Sequence, residues 1–262
     1  MRGMGLIVYG RQGIGKTSFG LRFPKPLRVI SINEYGFDDL DDAGLTPSGC
    51  ENVLLTDFPS FIKEIRESTD VKTIVVDSMS GINQIMKEDI LRTIYATDDD
   101  PARSFGSFSE GFRVHAPDWA QRIENAATVV RGKGVNVLLL GHTKTEKVKN
   151  STYNDYQASA IDMESWPRAV LTKWAQAVLF MEMDFKVRTT KDWKGKPTES
   201  KAVGSLDEDV SRVMYCSKHP SHDAKNRLEL PPYIQMGNSA DEAYANFVEK
   251  LPPKIRENLT NG

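Results

Sequence analysis

Residues 5–21 read GLIVYGRQGIGKTSFGL, and this stretch decides the fold. Residues 6–9 form an apolar run typical of a short buried strand, and residues 10–17 then match the pattern G-x-x-x-x-G-K-[ST]. A strand that enters a glycine-rich turn and then a helix directs successive backbone N–H groups at an anion. The sequence therefore predicts a phosphate-binding loop.

Nine residues of this loop are candidates for nucleotide binding. They are Gly10, Arg11, Gln12, Gly13, Ile14, Gly15, Lys16, Thr17 and Ser18. Lys16 is expected to face solvent, to reach the β- and γ-phosphates and to take part in catalysis, while the Thr17 hydroxyl is expected to ligate Mg²⁺. ATP and Mg²⁺ are therefore the expected cofactors.

Two later strand-like runs end in a carboxylate. Residues 27–32 lead to Glu34, and residues 71–76 lead to Asp77. Because the carboxyl ends of parallel strands meet at one edge of a sheet, both side chains are expected near the phosphates. Glu34 is predicted to polarise the attacking water, and Asp77 to hold Mg²⁺ through its water shell with support from Ser78. The alternatives are a solvated glutamate and a plain strand-end aspartate.

A further buried run, residues 135–141, ends at His142, which is predicted to contact the γ-phosphate and report its presence. The alternative is a structural histidine. Residues 143–160 are polar without an apolar period and are expected to form a flexible loop. Because lysines follow phosphates and tyrosines stack on bases, this loop is the candidate for single-stranded DNA binding, with an ordinary solvated loop as the alternative. The candidate contacts are Lys144, Lys147, Lys149, Tyr153 and Tyr156.

Composition excludes some classes of protein. A formal net charge of −2 argues against a uniformly basic surface, although a local basic groove remains compatible with it. The sequence contains no apolar run of the length, about 18 residues, that a membrane span requires, so a cytoplasmic protein without a membrane partner is expected. Residues 96–117 form a long irregular segment, and residues 192–197 resemble the turn of a β-hairpin. We expect an ATPase domain over residues 1–238, followed by a C-terminal helix and tail over residues 239–262.

The order of these motifs, with a late Lys225-Asn226-Arg227, resembles the RecA-like ATPase core. The sequence looks most like the small phage RecA-like single-strand annealing proteins of the Sak group, over about residues 5–232. The resemblance implies an α/β P-loop core with a mostly parallel sheet, helices on both faces and a C-terminal β-hairpin extension. It also implies that Lys225 and Arg227 reach the nucleotide of a neighbouring subunit in an oligomer or filament, and that residues 143–160 occupy the place of the second DNA-binding loop.

The resemblance implies ATP-dependent binding of single-stranded DNA and strand annealing in phage recombination, in the host cytoplasm. A single-strand-binding protein is a further candidate partner. The chain departs from RecA in having almost nothing before the first strand and in lacking a basic, glycine-flanked first DNA-binding loop. Three alternatives stay open: a DNA-packaging or helicase-loading ATPase, a GTP-dependent switch, and a small-molecule phosphotransferase.

Overall fold

The buried run before the phosphate loop forms the first of thirteen strands in the described part of the chain. We describe the chain from a computed structural model, which covers residues 2–149, 155–183, 186–191, 197–203 and 212–260. The strands are β1 Gly5–Gly10, β2 Leu27–Ser31, β3 Cys50–Leu54, β4 Thr73–Asp77, β5 Asn136–Gly141, β6 Thr143–Val148, β7 Tyr156–Ile161, β8 Ala177–Met183, β9 Lys186–Lys191, β10 Pro197–Val203, β11 Arg212–Tyr215, β12 Lys225–Asn226 and β13 Tyr233–Gln235.

Helices alternate with most of the first strands, as expected for an α/β protein. The helices are α1 Lys16–Gly20, α2 Gly36–Asp42, α3 Phe58–Glu67, α4 Met79–Ile94, α5 Pro101–Gly106, α6 Ala116–Gly132, α7 Ser165–Trp174, α8 Ala240–Lys250 and α9 Pro253–Thr260. In the part of the chain described above, none of them is both long and apolar enough to cross a membrane.

One sheet of nine strands organises these elements within the described residues. Eight of its strands follow the order β13-β11-β8-β1-β5-β4-β2-β3, and β12 also pairs with β8. In this order, every neighbouring pair among β8, β1, β5, β4, β2 and β3 is parallel. β11, β12 and β13 are antiparallel to their neighbours. The predicted α/β class with a mostly parallel sheet is confirmed. The carboxyl ends of β1, β2, β4 and β5 therefore meet at one edge.

Alternating side chains of β1 enter two separate cores. Leu6 and Val8 face the core that includes residues of α1 and α8, while Ile7 and Tyr9 face the core that includes residues of α3, α4, α6 and α7. Because both faces of the strand are covered, every residue of β1 is buried. This double burial explains why its sequence is a continuous apolar run.

Helix α8, near the C-terminus, covers the helix that follows the phosphate loop. Phe247 of α8 is fully buried, and its ring packs edge-on against that of Phe19 in α1, with 5.6 Å between centroids. Ser239 and Glu242 form a capping box that begins α8. The packing of α8 therefore supports the back of the phosphate loop.

The segment at residues 96–117 is not irregular, contrary to the expectation from sequence. Residues 96–117 contain α5, a 3₁₀ turn at Ser107–Ser109 and a π-helical turn at Gly111–His115 before α6 begins. These elements are too short to show a helical period in the sequence.

Residues 143–160 were expected to be a loop, but β6 and β7 form an antiparallel two-stranded ribbon. Most of their side chains are only partly buried, so the strands carry no apolar alternation that would mark them. We call this ribbon the sensor hairpin because it begins immediately after His142. Tyr153 lies outside the described residues.

The strands of the predicted hairpin around residues 192–197 are present. β9 and β10 pair antiparallel and form a separate two-stranded sheet. The predicted turn, residues 192–197, falls outside the described residues except for Pro197. The structure thus places a hairpin extension after β8.

Candidate active site

The phosphate loop joins β1 to α1 with a backbone that only glycine adopts readily. Gly13 and Gly15 have φ values of +75° and +96°. Gly10 is required for a different reason, since a Cβ there would lie 2.4 Å from the Met181 carbonyl oxygen of β8. α1 is only five residues long, so the loop's own N–H groups rather than a long helix dipole are expected to bind an anion.

The lysine of the loop is buried rather than solvent-facing, which corrects the prediction from sequence. Lys16 is 6% exposed, and its Nζ donates hydrogen bonds to the carbonyl oxygens of Gly10 at 3.1 Å and Arg11 at 2.9 Å. Burial lowers the pKa of Lys16, and the nearby Asp77 and Glu34 carboxylates oppose that shift. The ammonium group is thus held inside the loop, next to the place where phosphates would bind.

The two predicted magnesium ligands are in contact. The Thr17 hydroxyl donates a hydrogen bond of 2.7 Å to Asp77 Oδ2, and Asp77 is 5% exposed. Burial raises the pKa of Asp77, while the bond from Thr17 lowers it. Mg²⁺ prefers hard oxygen donors and usually keeps several waters, so the Thr17 hydroxyl as a ligand and the Asp77 carboxylate through the water shell fit the ion. Mg²⁺ would there neutralise charge on the β- and γ-phosphates.

The predicted catalytic carboxylate lies beside the predicted sensor. Glu34 Oε1 accepts hydrogen bonds from Ser78 Oγ at 2.9 Å and from His142 Nε2 at 2.8 Å. Asn33, with φ of +55°, makes the turn that brings Glu34 back over the ends of β4 and β5. Ser78 also accepts a bond from the Gly81 N–H at the start of α4. Ser78 therefore orients Glu34, whereas sequence reasoning had assigned it to support of Asp77.

Two contacts to the phosphate loop were not anticipated from the sequence. Arg11 forms an ion pair of 3.2 Å with Glu182 at the end of β8. Arg212 of β11 lies over the loop, donating long hydrogen bonds to the Ile14 and Gly237 carbonyl oxygens at 3.5 and 3.4 Å. Arg212 is 198 residues from Ile14, so only the antiparallel addition of β11 beside β8 reveals its position.

The candidate DNA-binding lysines are partly paired with carboxylates. Lys144 Nζ lies 3.3 Å from Glu146, and Lys147 Nζ lies 3.0 Å from Asp155. Glu146 is also held by two bonds from Arg168 of α7, at 3.0 and 2.8 Å. Surface pairs of this kind contribute only about 0–1 kcal/mol, so phosphates can replace the carboxylates at little cost.

Lys225 and Arg227, the predicted pair for a neighbouring nucleotide, differ in their surroundings. Lys225 Nζ donates to the Thr172, Lys173 and Ala175 carbonyl oxygens at 2.7, 2.6 and 2.6 Å, and so caps the end of α7. The Arg227 side chain is on the surface. Sequence reasoning missed the capping role because Lys225 is about 50 residues from its partners.

Comparison with known families identifies the domain that contains this site. The sequence profile of the AAA domain family matches residues 2–228. The chain belongs to this family. It is accordingly a nucleotide-binding P-loop ATPase, and its AAA domain contains the phosphate loop, Glu34, Asp77 and His142.

Comparison with solved structures also gives matches. The crystal structure of a KaiC-like protein from the hyperthermophilic archaeon Pyrococcus horikoshii OT3 is similar at 11% identity, covering 92% of this chain and 88% of that chain, with a TM-score of 0.41. Curated proteins gave no significant match. The match to the AAA domain family confirms the resemblance made from sequence as far as a nucleotide-binding P-loop ATPase.

Proposed function

We propose that this ATPase binds single-stranded DNA through the sensor hairpin in an ATP-dependent manner and promotes the annealing of complementary strands, as in phage recombination. The observation that carries the proposal is the position of His142. Its ring contacts the catalytic candidate Glu34 at 2.8 Å, and its neighbour Thr143 begins the sensor hairpin. A γ-phosphate that binds His142 would therefore act directly on the base of the hairpin.

The hydrolytic step follows from the geometry around Glu34. Without nucleotide, Ser78 and His142 both donate to Oε1, and Ser78 continues to orient the carboxylate when His142 turns to the γ-phosphate. Glu34 accepts a proton from the attacking water, Lys16 moves from the loop carbonyls to the phosphates, and Thr17 with Asp77 would hold Mg²⁺. When the γ-phosphate leaves, His142 returns to Glu34 and the hairpin is released.

The hairpin has the chemistry that a DNA strand requires. Lys144, Lys147 and Lys149 lie on or next to β6, and Tyr156 begins β7. Lysines bind phosphates regardless of sequence and aromatic rings stack on any base, which suits an annealing protein that must accept many strands.

Arg227, from a neighbouring subunit, would contribute to hydrolysis in trans.

We expect the lysines of the hairpin to govern the salt dependence of DNA binding. Replacing Lys144, Lys147 and Lys149 with alanine should weaken single-strand binding and reduce the log–log salt slope by up to about 2, since each phosphate contact releases about 0.7 counterion. Fluorescence anisotropy over a salt series measures this slope. Basal ATP hydrolysis should be unchanged, and stimulation by DNA should fall with DNA binding.

The matched control replaces Lys63, Lys133 and Lys254, three exposed lysines outside the hairpin, with alanine. It has the same charge as the hairpin variant and should keep the wild-type slope. Equal slopes in the wild type and the hairpin variant would exclude the hairpin as the DNA site.

Alanine substitutions of Lys225 and Arg227 should have different effects, because Lys225 has a structural role at the end of α7 and Arg227 is proposed to act in hydrolysis. Lys225→Ala leaves three carbonyl groups without their ammonium partner and should lower the free energy of unfolding by about 1–3 kcal/mol, measured by urea denaturation. Arg227→Ala should leave stability unchanged and lower ATP turnover.

A mixing experiment tests whether Arg227 acts on a neighbouring subunit. Arg227→Ala and Glu34→Gln subunits should each be nearly inactive, and a mixture should regain turnover because some sites combine an intact Glu34 with an intact Arg227. A mixture that stays as inactive as its components would show that Arg227 does not act in trans.

A further inference from the structure

A cavity lined by stacked rings lies next to the predicted ATP site. Its volume is about 550 Å³, within the range of about 300–1,000 Å³ typical of ligand sites. Phe180 of β8 and Tyr215 of β11 lie nearly parallel, at 22° and 6.1 Å between centroids. His222 lies 4.7 Å from Tyr215, and His219 lies 5.5 Å from His222. Tyr233, 56% exposed, stands at the edge.

Residues 217–223, which we call the histidine turn, hold two of these rings in fixed positions. The backbones of His219 and His222 exchange hydrogen bonds of 3.2 and 3.1 Å. The Ser221 hydroxyl lies 2.8 Å from His219 Nδ1 and 3.1 Å from His222 Nδ1. Because the rings are already ordered, a planar ligand that stacks on them would lose little side-chain entropy from the protein.

The histidine turn is bonded to the sensor hairpin. The Ser159 N–H of β7 donates to the Ser221 carbonyl at 2.7 Å, and the Asp223 N–H donates to the Ser159 carbonyl at 3.4 Å. Ser159 itself lines the cavity. A strand that follows the hairpin lysines would therefore pass beside this cavity.

The other wall of the cavity connects to the phosphate loop. Glu182 lines the cavity and also forms the 3.2 Å ion pair with Arg11. A carboxylate there can accept a hydrogen bond from the exocyclic amine of adenine, cytosine or guanine. The cavity thus lies between the two elements that contact the nucleotide site, the end of β8 and the sensor hairpin.

We propose that this cavity binds one nucleobase of the single strand held by the sensor hairpin, stacked against His219 and Tyr233 at its open side. This inference rests on the proposed function. The ligand class is a nucleobase, which could belong to a DNA strand or to a free nucleoside, and the test separates these sources. Lys144, Lys147 and Lys149, which are expected to govern the salt dependence of DNA binding, do not line this cavity.

The test compares an ordinary single strand with a strand of equal length that has only abasic positions, using anisotropy with a bound ATP analogue. Stacking on one aromatic side chain is worth about 1–3 kcal/mol, so His219→Ala should bind the ordinary strand roughly 5- to 150-fold more weakly. Binding of the abasic strand and the salt slope should not change. His219→Phe, which keeps a ring, should retain wild-type affinity and so controls for disruption of the turn.

Phe108→Ala is a matched control, because Phe108 is 95% exposed and lies on a different element. It should leave the ratio of the two affinities unchanged. If His219→Ala and Tyr233→Ala both bind the ordinary strand tightly and keep the wild-type ratio of ordinary-strand to abasic-strand affinity, the cavity is not a base-binding site. The proposed function would still stand. Failure of the wild type to bind either strand would overturn the proposed function itself. Binding of free thymidine or adenosine that is lost in His219→Ala and leaves the affinity for the strand unchanged would assign the cavity to a free nucleoside and overturn the strand assignment.

Discussion

Replacing Lys16 with alanine should weaken ATP binding by at least about 100-fold. The ammonium group lies inside the loop on the Gly10 and Arg11 carbonyl oxygens, ready to exchange them for phosphate oxygens. Hydrogen bonds between charged groups contribute about 1.5–3 kcal/mol each, and two of them account for about 100-fold or more. Isothermal titration calorimetry with ATP and Mg²⁺ measures the loss, and turnover and ATP-dependent DNA binding should disappear with it.

Because Lys16 is buried, the variant needs a control for the fold. Lys16→Met retains most of the buried volume and removes only the charge, so it should lose ATP affinity to the same extent as Lys16→Ala. Thermal unfolding of both variants without nucleotide establishes that the domain is intact. Wild-type ATP affinity in a folded Lys16→Met protein would contradict the assignment of the phosphate loop.

Replacing Glu34 with glutamine should lower ATP turnover by roughly 100-fold or more while ATP affinity stays within about twofold, since a general base acts in the transition state. Glutamine has the same shape but cannot accept the proton from water. Steady-state hydrolysis and calorimetry on the same sample measure the two quantities.

Asp39→Asn makes a similar charge change at an exposed position in α2 and should leave turnover within about twofold of the wild type. Unchanged turnover in Glu34→Gln, together with abolished turnover in Asp77→Asn, would show that the catalytic carboxylate has been misassigned.

The parts of the site that could be predicted are those that local sequence determines. The phosphate loop, the strand tips at Glu34 and Asp77 and the position of His142 follow from apolar runs that end in polar residues. Parallel β2, β4 and β5 then bring these tips to one edge. The contact between Glu34 and His142, 108 residues apart, is a consequence of that order.

The parts that could not be predicted depend on chain pairing without a local signal. Arg212 reaches the phosphate loop only because β11 adds antiparallel to β8, and Lys225 reaches α7 only because β12 does the same. The sensor hairpin is solvated on much of its surface, so its strands lack the alternation of a buried face. The burial of Lys16 likewise depends on the folded loop, in which the side chain turns back and bonds the carbonyl oxygens of Gly10 and Arg11.

The central claim, that ATP controls single-strand binding through His142 and the sensor hairpin, is tested most directly by the affinity for one labelled strand in three nucleotide states. The affinity should be at least about tenfold higher with a nonhydrolysable ATP analogue than with ADP or without nucleotide, within the range of about 5- to 150-fold typical of coupled sites. Equal affinity in all three states, or no binding in any of them, would contradict the account.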